Sequence, residues 1–441
     1  MRVLFSLAAF LWLTASPANA QQPPKSNDWP IFLGPSQDNK SKETGLQIPW
    51  PKSGPPIVWQ RELGVGYGLG VINEGKLYQY DRYKNKARLT CMDAKTGKDI
   101  WQYEHKTDYE DRYGYNNGPR CSPLVDGDRV YIYSAEGLLT CLRKLDGGVI
   151  WQKDTQKLFG VVQNFFGVGS TPVIEGDLLI AMVGGSPKED QEARSLQDVR
   201  GNGTGIVAFH KMTGDMKYKI TDELASYASM RLATINGRRW GFAFARGGLV
   251  GFEPVTGKVD FQYPWRAKIL ESVNASMPVV VGDEVFISET YGPGSSLLKV
   301  RPGGYDVVWK DDPKKREKAM QTHWNTPIHH EGYIYGSSGR HTHNAELRCI
   351  EWKTGQVKWS IPQLTRISLM YADGHFVALG EYGDLLLFKA NPKKFELVSF
   401  VRLKDEDGEP LLKYPSWAAP MLVDGLMYVR GDGRLVCLKM K

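Results

Sequence analysis

Five tryptophans recur along this chain, Trp59, Trp101, Trp151, Trp309 and Trp359, and four of them close the same local pattern. Thr90-Cys91-Met92-Asp93-Ala94-Lys95-Thr96-Gly97 precedes Trp101. Thr140-Cys141-Leu142 and Asp146-Gly147 precede Trp151, and Arg348-Cys349-Ile350 and Thr354-Gly355 precede Trp359. Trp309 keeps the frame with Leu298-Lys299-Val300 and a Gly303-Gly304 turn. Trp59 has no such lead-in. Val436-Cys437-Leu438 closes the chain instead, and the tryptophan due ten residues after Cys437 is missing. A last copy divided between the two termini describes a ring closed by its own ends.

Each unit opens on a short apolar strand running into a glycine turn, as in Leu124-Val125-Asp126-Gly127, Val173-Ile174-Glu175-Gly176 and Val279-Val280-Val281-Gly282. Weaker copies surround Gly75, Gly237, Gly332, Gly374 and Gly425, so eight turns recur at intervals of 42 to 61 residues. A second strand follows each turn, a third ends near the Cys position, and a fourth carries the Trp after a Thr-Gly turn. Asp-Gly and Thr-Gly flanked by alternating apolar residues are hairpin signals. Four short antiparallel strands at this period describe a propeller blade. A solenoid would need capping repeats, whereas the orphan strand Ile57-Val58-Trp59-Gln60-Arg61-Glu62-Leu63 supplies what the last unit lacks and removes an exposed edge. The predicted fold is all-β: an eight-bladed propeller over residues 57–441, preceded by an N-terminal extension, 21–56, and a signal peptide, 1–20. The tryptophans read as apolar plugs between adjacent blades, with Tyr218 or Phe261 in the units that lack one.

Length alone, 441 residues, would suggest two or three domains; the repetition overrides it. Arg2, the apolar stretch Val3 to Ala15 and Ala18-Asn19-Ala20 read as a cleaved secretory signal, predicting a secreted or periplasmic protein with no membrane span in the mature chain. The net charge of +7 is scattered apart from Lys314-Lys315-Arg316, which has acidic neighbours, so there is no concentrated basic stripe for nucleic acid. Cys91, Cys141, Cys349 and Cys437 occupy one position of the repeat, too far apart for bridges, and read as small core residues; Cys121 stands alone. A monomer is expected.

At this point the Asp93-to-Trp101 pattern resembles the repeat of pyrroloquinoline-quinone (PQQ) β-propellers, a family that includes quinoprotein alcohol dehydrogenases and the barrel-assembly propeller BamB. Asp28-Trp29-Pro30-Ile31-Phe32-Leu33-Gly34-Pro35, Gly118-Pro119-Arg120 and Leu426-Met427-Tyr428-Val429-Arg430 are similar to secreted PQQ-like repeat proteins of planctomycete-type bacteria. For the catalytic branch the resemblance implies a vicinal Cys-Cys disulfide and a Glu/Asn/Asp calcium site. This chain has no adjacent cysteines and no matching calcium motif, so no ligand is carried over. BamB-like relatives are lipoproteins, and no Cys follows the cleavage site here. PQQ with Ca²⁺ is the cofactor the resemblance allows; none is assigned.

In a propeller the residues just before the innermost strands rim one mouth of the central channel. Pro123, Pro172, Pro278, Pro327 and Pro420 mark those strand starts. Three or four residues upstream stand Tyr67, Arg120, Tyr227, Asn274, His323 and Trp417, with Arg366 in the most degenerate unit. That ring could bind a small anionic or sugar-like molecule, Arg120 as the anion clamp and His323 as the member titrating near neutral pH; water or plugging side chains could equally fill it. His341-Thr342-His343 reads as a polar hairpin rather than a metal site, and His329-His330 as an exposed turn. Gly64-Val65-Gly66-Tyr67-Gly68-Leu69-Gly70 has no nucleotide-binding register. The insertion 186–205 is an extended loop of the third blade, either recognising something or idle. Two functions remain open: a non-catalytic binding or assembly scaffold whose partner is an envelope protein or a small polar or anionic ligand, or a PQQ-dependent dehydrogenase of alcohols or sugars.

Overall fold

The computed structural model describes residues 27–193 and 195–441; the expected signal peptide lies outside them. Eight four-stranded antiparallel sheets form the blades. Blades 1 to 7 cover residues 71–106, 124–154, 173–220, 231–264, 279–310, 328–362 and 367–402. Blade 8 combines Met421–Val423, Leu426–Gly431 and Arg434–Lys439 with Ile57–Glu62 from the other end of the chain. Trp59 sits opposite Cys437 in that pairing, so the split copy closes the ring as the repeat predicts.

The recurring residues share one row across each blade. Tyr78, Cys91 and Trp101 are cross-strand neighbours in blade 1. Tyr131, Cys141 and Trp151 repeat the row in blade 2, Tyr335, Cys349 and Trp359 in blade 6, and Tyr428, Cys437 and Trp59 in blade 8. Directly opposed large and small side chains pack the sheet face. All five cysteines are buried and free, and burial pushes the four repeat thiols up, that of Cys91 to about 11 and those of Cys141, Cys349 and Cys437 to about 12.

Each docking tryptophan reaches into the following blade. Trp59 donates its indole N–H to Ala94 O at 3.0 Å, Trp101 to Lys144 O at 3.1 Å and Trp151 to Lys211 O at 3.0 Å. Trp309 and Trp359 do the same with Trp352 O and Asn391 O at 2.8 and 2.9 Å, and Tyr218 substitutes its hydroxyl, bonding Pro254 O at 2.7 Å. The ring lies against the next blade's turn glycine. Gly147 has φ +74°, and a Cβ there would stand 2.6 Å from the Trp101 ring. Gly127 also has a positive φ, but its Cβ would meet nothing. Gly127→Ala should therefore cost only the left-handed strain, about 1–2 kcal/mol, and Gly147→Ala a further ~1–3 kcal/mol of overpacking. Urea midpoints of the two variants check this; equal costs would mean the tryptophan is not seated on the turn.

The N-terminal extension does more than precede the propeller. Trp29 exchanges N–H···O bonds with Ile72 in blade 1, and Val125 N–H of blade 2 bonds Pro30 O. Gln37 then clasps blade 4, donating to Met230 O and accepting from Leu232 N–H, both at 3.1 Å. Asn39 pairs through its backbone and side chain with blade 7, at Leu369 and Tyr371. Residues 29–41 therefore run across the central channel as a strap, bonded to the innermost strands of four blades. Phe32 and Leu33 line one cavity, and Phe32 also lines a second.

Candidate functional site

Above the strap lies a cup of about 630 Å³, within the usual range of small-ligand pockets. Tyr67, Arg120, Tyr227, His323, Arg366 and Trp417 all line it. Asn274 does not: it is 1% exposed and turned into the wall, its side-chain amide donating to Ala245 O and Trp265 O. Its chain neighbours Val273 and Ala275 face the cup in its place.

The wall is aromatic. Tyr67 packs on Trp417 with ring centroids 4.6 Å apart, Trp417 on Trp324 at 4.1 Å, and Trp324 on His323 at 4.5 Å. Tyr291 continues the arc, its hydroxyl 3.1 Å from His323 Nε2. Two residues of the loop between blades 1 and 2, Tyr113 and Tyr115, stand at the rim, 51% and 66% exposed, in contact with Phe166. The insertion of blade 3 supports this rim from behind, its Leu196 and Val199 packing with Phe165 and Val273. Position in the repeat could not reveal Tyr113, Tyr115, Phe165 or Phe166, because they sit in interblade loops. Trp324 was within reach of the same reasoning, being the residue after His323.

Three arginines meet this surface, and two are already neutralised. Arg120 is held by the buried carboxylate of Asp111, so it is not the free anion clamp its position suggested. Arg366 makes a bidentate pair with fully buried Glu381 and lies 4.2 Å over Trp324. Burial works to raise the Glu381 carboxyl, but the Arg366 hydrogen bonds and charge outweigh it and hold the group below the usual range. Arg340 is different. Its guanidinium rests 4.5 Å over the Tyr291 ring and has no carboxylate partner among the described residues. Arg246, 4% exposed and stacked behind Phe165, is a second cation without one; burial and Arg266 lower it to about 10, so it stays charged at neutral pH. Glu271 is the one carboxylate among the lining residues, and it is exposed at the rim.

His323 does not titrate near neutrality. Desolvation first, then Arg366 and Arg340, lower it well below 6.5 and keep it uncharged. Its Nδ1 is buried without a protein partner. His329 and His330 are likewise not an exposed turn. They end the innermost strand of blade 6, Ile328–His330, against Trp352 and Tyr371 with ring centroids 4.9 and 4.3 Å apart. Burial, with Lys40 and His330, lowers His329 to about 4. The sign of the linkage follows: a histidine depressed in the folded state contributes stability that is present above 6.5 and lost as pH falls. Glu289, pushed up to about 7 chiefly by burial, works the opposite way, its contribution being present below 4.5 and lost as pH rises to 7. His323→Asn should therefore flatten the loss of thermal midpoint between about pH 7 and 5 relative to the unmodified protein. An unchanged slope would place the acid sensitivity elsewhere. His341 caps a short 3₁₀ turn, Thr342–Asn344, and His343 lies within it; no group of three or more His, Cys, Asp or Glu able to hold a metal occurs among the described residues.

The propeller, its closure and the axial cup can now be compared with known proteins. A family model described as outer membrane protein assembly factor BamB matches residues 53–187 and 85–361. The chain belongs to that family of PQQ-like propellers. Quinoprotein ethanol dehydrogenase of Pseudomonas putida is 31% identical over 88 residues, 19% of this chain. BamB of Yersinia pestis is 28% identical over 137 residues, 28% of this chain. Those matches span 13% and 33% of the relatives' own lengths. Among solved structures, BamB of Moraxella catarrhalis superposes with a TM-score of 0.55 at 12% identity, covering 88% of this chain and 98% of that one. Quinohemoprotein alcohol dehydrogenase of Comamonas testosteroni gives 0.52 at 14% identity, covering 96% and 81%. At those identities the likeness is one of fold.

Both kinds of relative use this scaffold, so the residues of the cup must be tested against the quinone–calcium pair. Calcium takes ~6–8 oxygen ligands, several of them carboxylate. In this PQQ-like propeller Asp111 and Glu381 are committed to arginines, and Glu271 alone remains on the wall. The five cysteines are not adjacent to one another in sequence. Stacking rings and Arg340 suit a planar anion, but the donor set does not suit its calcium ion.

Proposed function

We propose that this PQQ-like propeller is an extracytoplasmic binding protein that captures an anionic ligand in the cup and does not oxidise it. Arg340 carries the reading: a cation without a carboxylate partner, set on an aromatic wall whose other two arginines, Arg120 and Arg366, are each paired with a buried carboxylate. An uncompensated charge in a partly desolvated site is a standing affinity for a counter-charge. The other groups facing the cup are mostly donors. Thr171, Ser229 and Thr326 each accept a backbone N–H from a neighbouring segment, at 3.1, 3.0 and 3.2 Å, which leaves each hydroxyl proton for an acceptor on the ligand. The Tyr227 hydroxyl accepts from Phe166 N–H and is in the same position. The partner is a small polar anion or an envelope protein presenting one. The extracytoplasmic placement rests on Arg2, the apolar stretch after it and Ala18-Asn19-Ala20; no helix among the described residues is long and apolar enough to cross a membrane.

A quinoprotein dehydrogenase is the second reading, supported by the Trp324–Trp417 surface beside Arg366 and Arg340. The cup reading is tested by quenching of tryptophan fluorescence with a library of carboxylates, phosphates and their neutral analogues. Anions should quench the unmodified protein, and Arg340→Gln should weaken them by ~10-fold or more. Quenching insensitive to both Arg340→Gln and Trp417→Ala would remove the cup from consideration.

A further inference from the structure

Resting on the cup as the binding site, we infer that its ligand is the end of an acidic saccharide chain, a terminal hexuronate bound with its carboxylate at Arg340. Three independent features of the wall lead there.

The first is that the strap stands in the path of the channel. It is bonded to the innermost strands of four blades and its Phe32 and Leu33 line the cup, an arrangement that suits the end of a chain better than a polymer threaded through. The second is the excess of donors. Besides the hydroxyls already described, Trp324 lines the wall with no hydrogen-bond partner for its indole N–H among the described residues, and His323 Nδ1, buried and unpartnered, is a donor in the tautomer whose Nε2 accepts from the Tyr291 hydroxyl. Donors spread around a wall call for a ligand with acceptor oxygens on several sides. A ring bearing a carboxylate and several hydroxyls meets that need; an aromatic monocarboxylate has too few oxygens. The third is the disposition of the rings. Trp324 and Trp417 are half-buried in the wall of the cup, while Tyr113 and Tyr115 stand exposed at its rim. The negative faces of aromatic rings suit the C–H faces of a sugar, and the rim pair offers a second platform for the next unit of the chain.

A peptide terminus is less well served. Strand addition requires a free backbone edge, and here the N–H groups at the strand starts are used by neighbours: Ser122 N–H by Thr171, Thr171 N–H by Ser229 and Met277 N–H by Thr326. Lower down, the strap occupies the edges of blades 1 and 7.

The experiment is isothermal titration of the full chain with galacturonic acid, an oligogalacturonide, the same oligomer with its carboxyls reduced, and a C-terminally free aromatic peptide. The acidic oligomer should bind tightest. Arg340→Gln should weaken it by ~10- to 100-fold while changing the neutral oligomer little, and Arg340→Lys should restore part of the loss. Tyr115→Ala should reduce the advantage of oligomer over monomer and leave the monomer unchanged, a split that misfolding would not produce. Equal affinity for acidic and reduced oligomers, or for oligomers with both ends blocked, overturns the saccharide-end inference. Should the peptide or PQQ bind instead, sensitive to Arg340→Gln and Trp417→Ala, this inference falls and the cup stands. Binding of any of these probes that ignores both substitutions overturns the cup as well.

Discussion

Trp29→Ala is expected to destabilise the protein by about 3–5 kcal/mol, the usual range for removing a buried large aromatic, and to open the floor of the cup. Trp29 is 2% exposed and belongs to the core between blades 1 and 8. Its backbone bonds pin the strap to Ile72 in both directions. The strap turns directly after it: Gly34 has φ +81°, and a Cβ there would stand 2.9 Å from the Trp29 ring. Losing the ring thus removes apolar burial and the surface on which the chain reverses toward Gln37 and Asn39. Denaturant unfolding measures the cost, and hydrogen exchange at the Ile72 and Val125 amides reports whether the strap has lifted. A loss below about 1 kcal/mol, with those amides still protected, would show that the strap is held elsewhere.

The second large effect concerns closure. A chain beginning at residue 63 lacks Ile57–Glu62, and the edge of Arg434–Lys439 that pairs with it is exposed. An open edge flanked by Leu435, Val436, Cys437 and Leu438, all buried in the closed ring, is a template for pairing with another chain. Such a truncation should elute as oligomer or aggregate. A truncation at residue 56, which removes the strap but keeps the closing strand, should remain monomeric though less stable. Within the full chain, Trp59→Ala should cost about as much as Trp101→Ala, because each ring bonds a carbonyl of the next blade and lies on its turn glycine. If the truncation at 63 were a stable monomer, the ring would not depend on its split blade.

The eight blades were legible because packing repeats in sequence as it repeats in space. Every Tyr, Cys and Trp of the cross-strand row answers to the same neighbours, so one period describes all of them. The axial ring was legible for the same reason: register carries Tyr67, Arg120, Tyr227, His323, Arg366 and Trp417 to one mouth. Asn274 broke the rule because an amide offered two carbonyls turned inward to bond them. The charge states were not legible at all. Whether Arg120 is free depends on Asp111, which stands in a loop outside the repeat, and the neutrality of His323 depends on burial and on arginines of blade 6 and its successor. Nor could the period reveal the strap, since residues 29–41 occur once and bond the blades mainly through backbone groups.

The cup's donors, its committed carboxylates and Arg340 are what support the proposal that the site binds an anion and leaves it unchanged. Titration of the purified protein with PQQ and Ca²⁺, followed by absorbance spectroscopy and dye-linked oxidation of a panel of alcohols and sugars, tests this most directly. The account predicts no dye reduction, and any quinone binding to be independent of calcium and weakened by Arg340→Gln. Calcium-dependent, stoichiometric quinone binding with turnover would contradict it and establish the dehydrogenase.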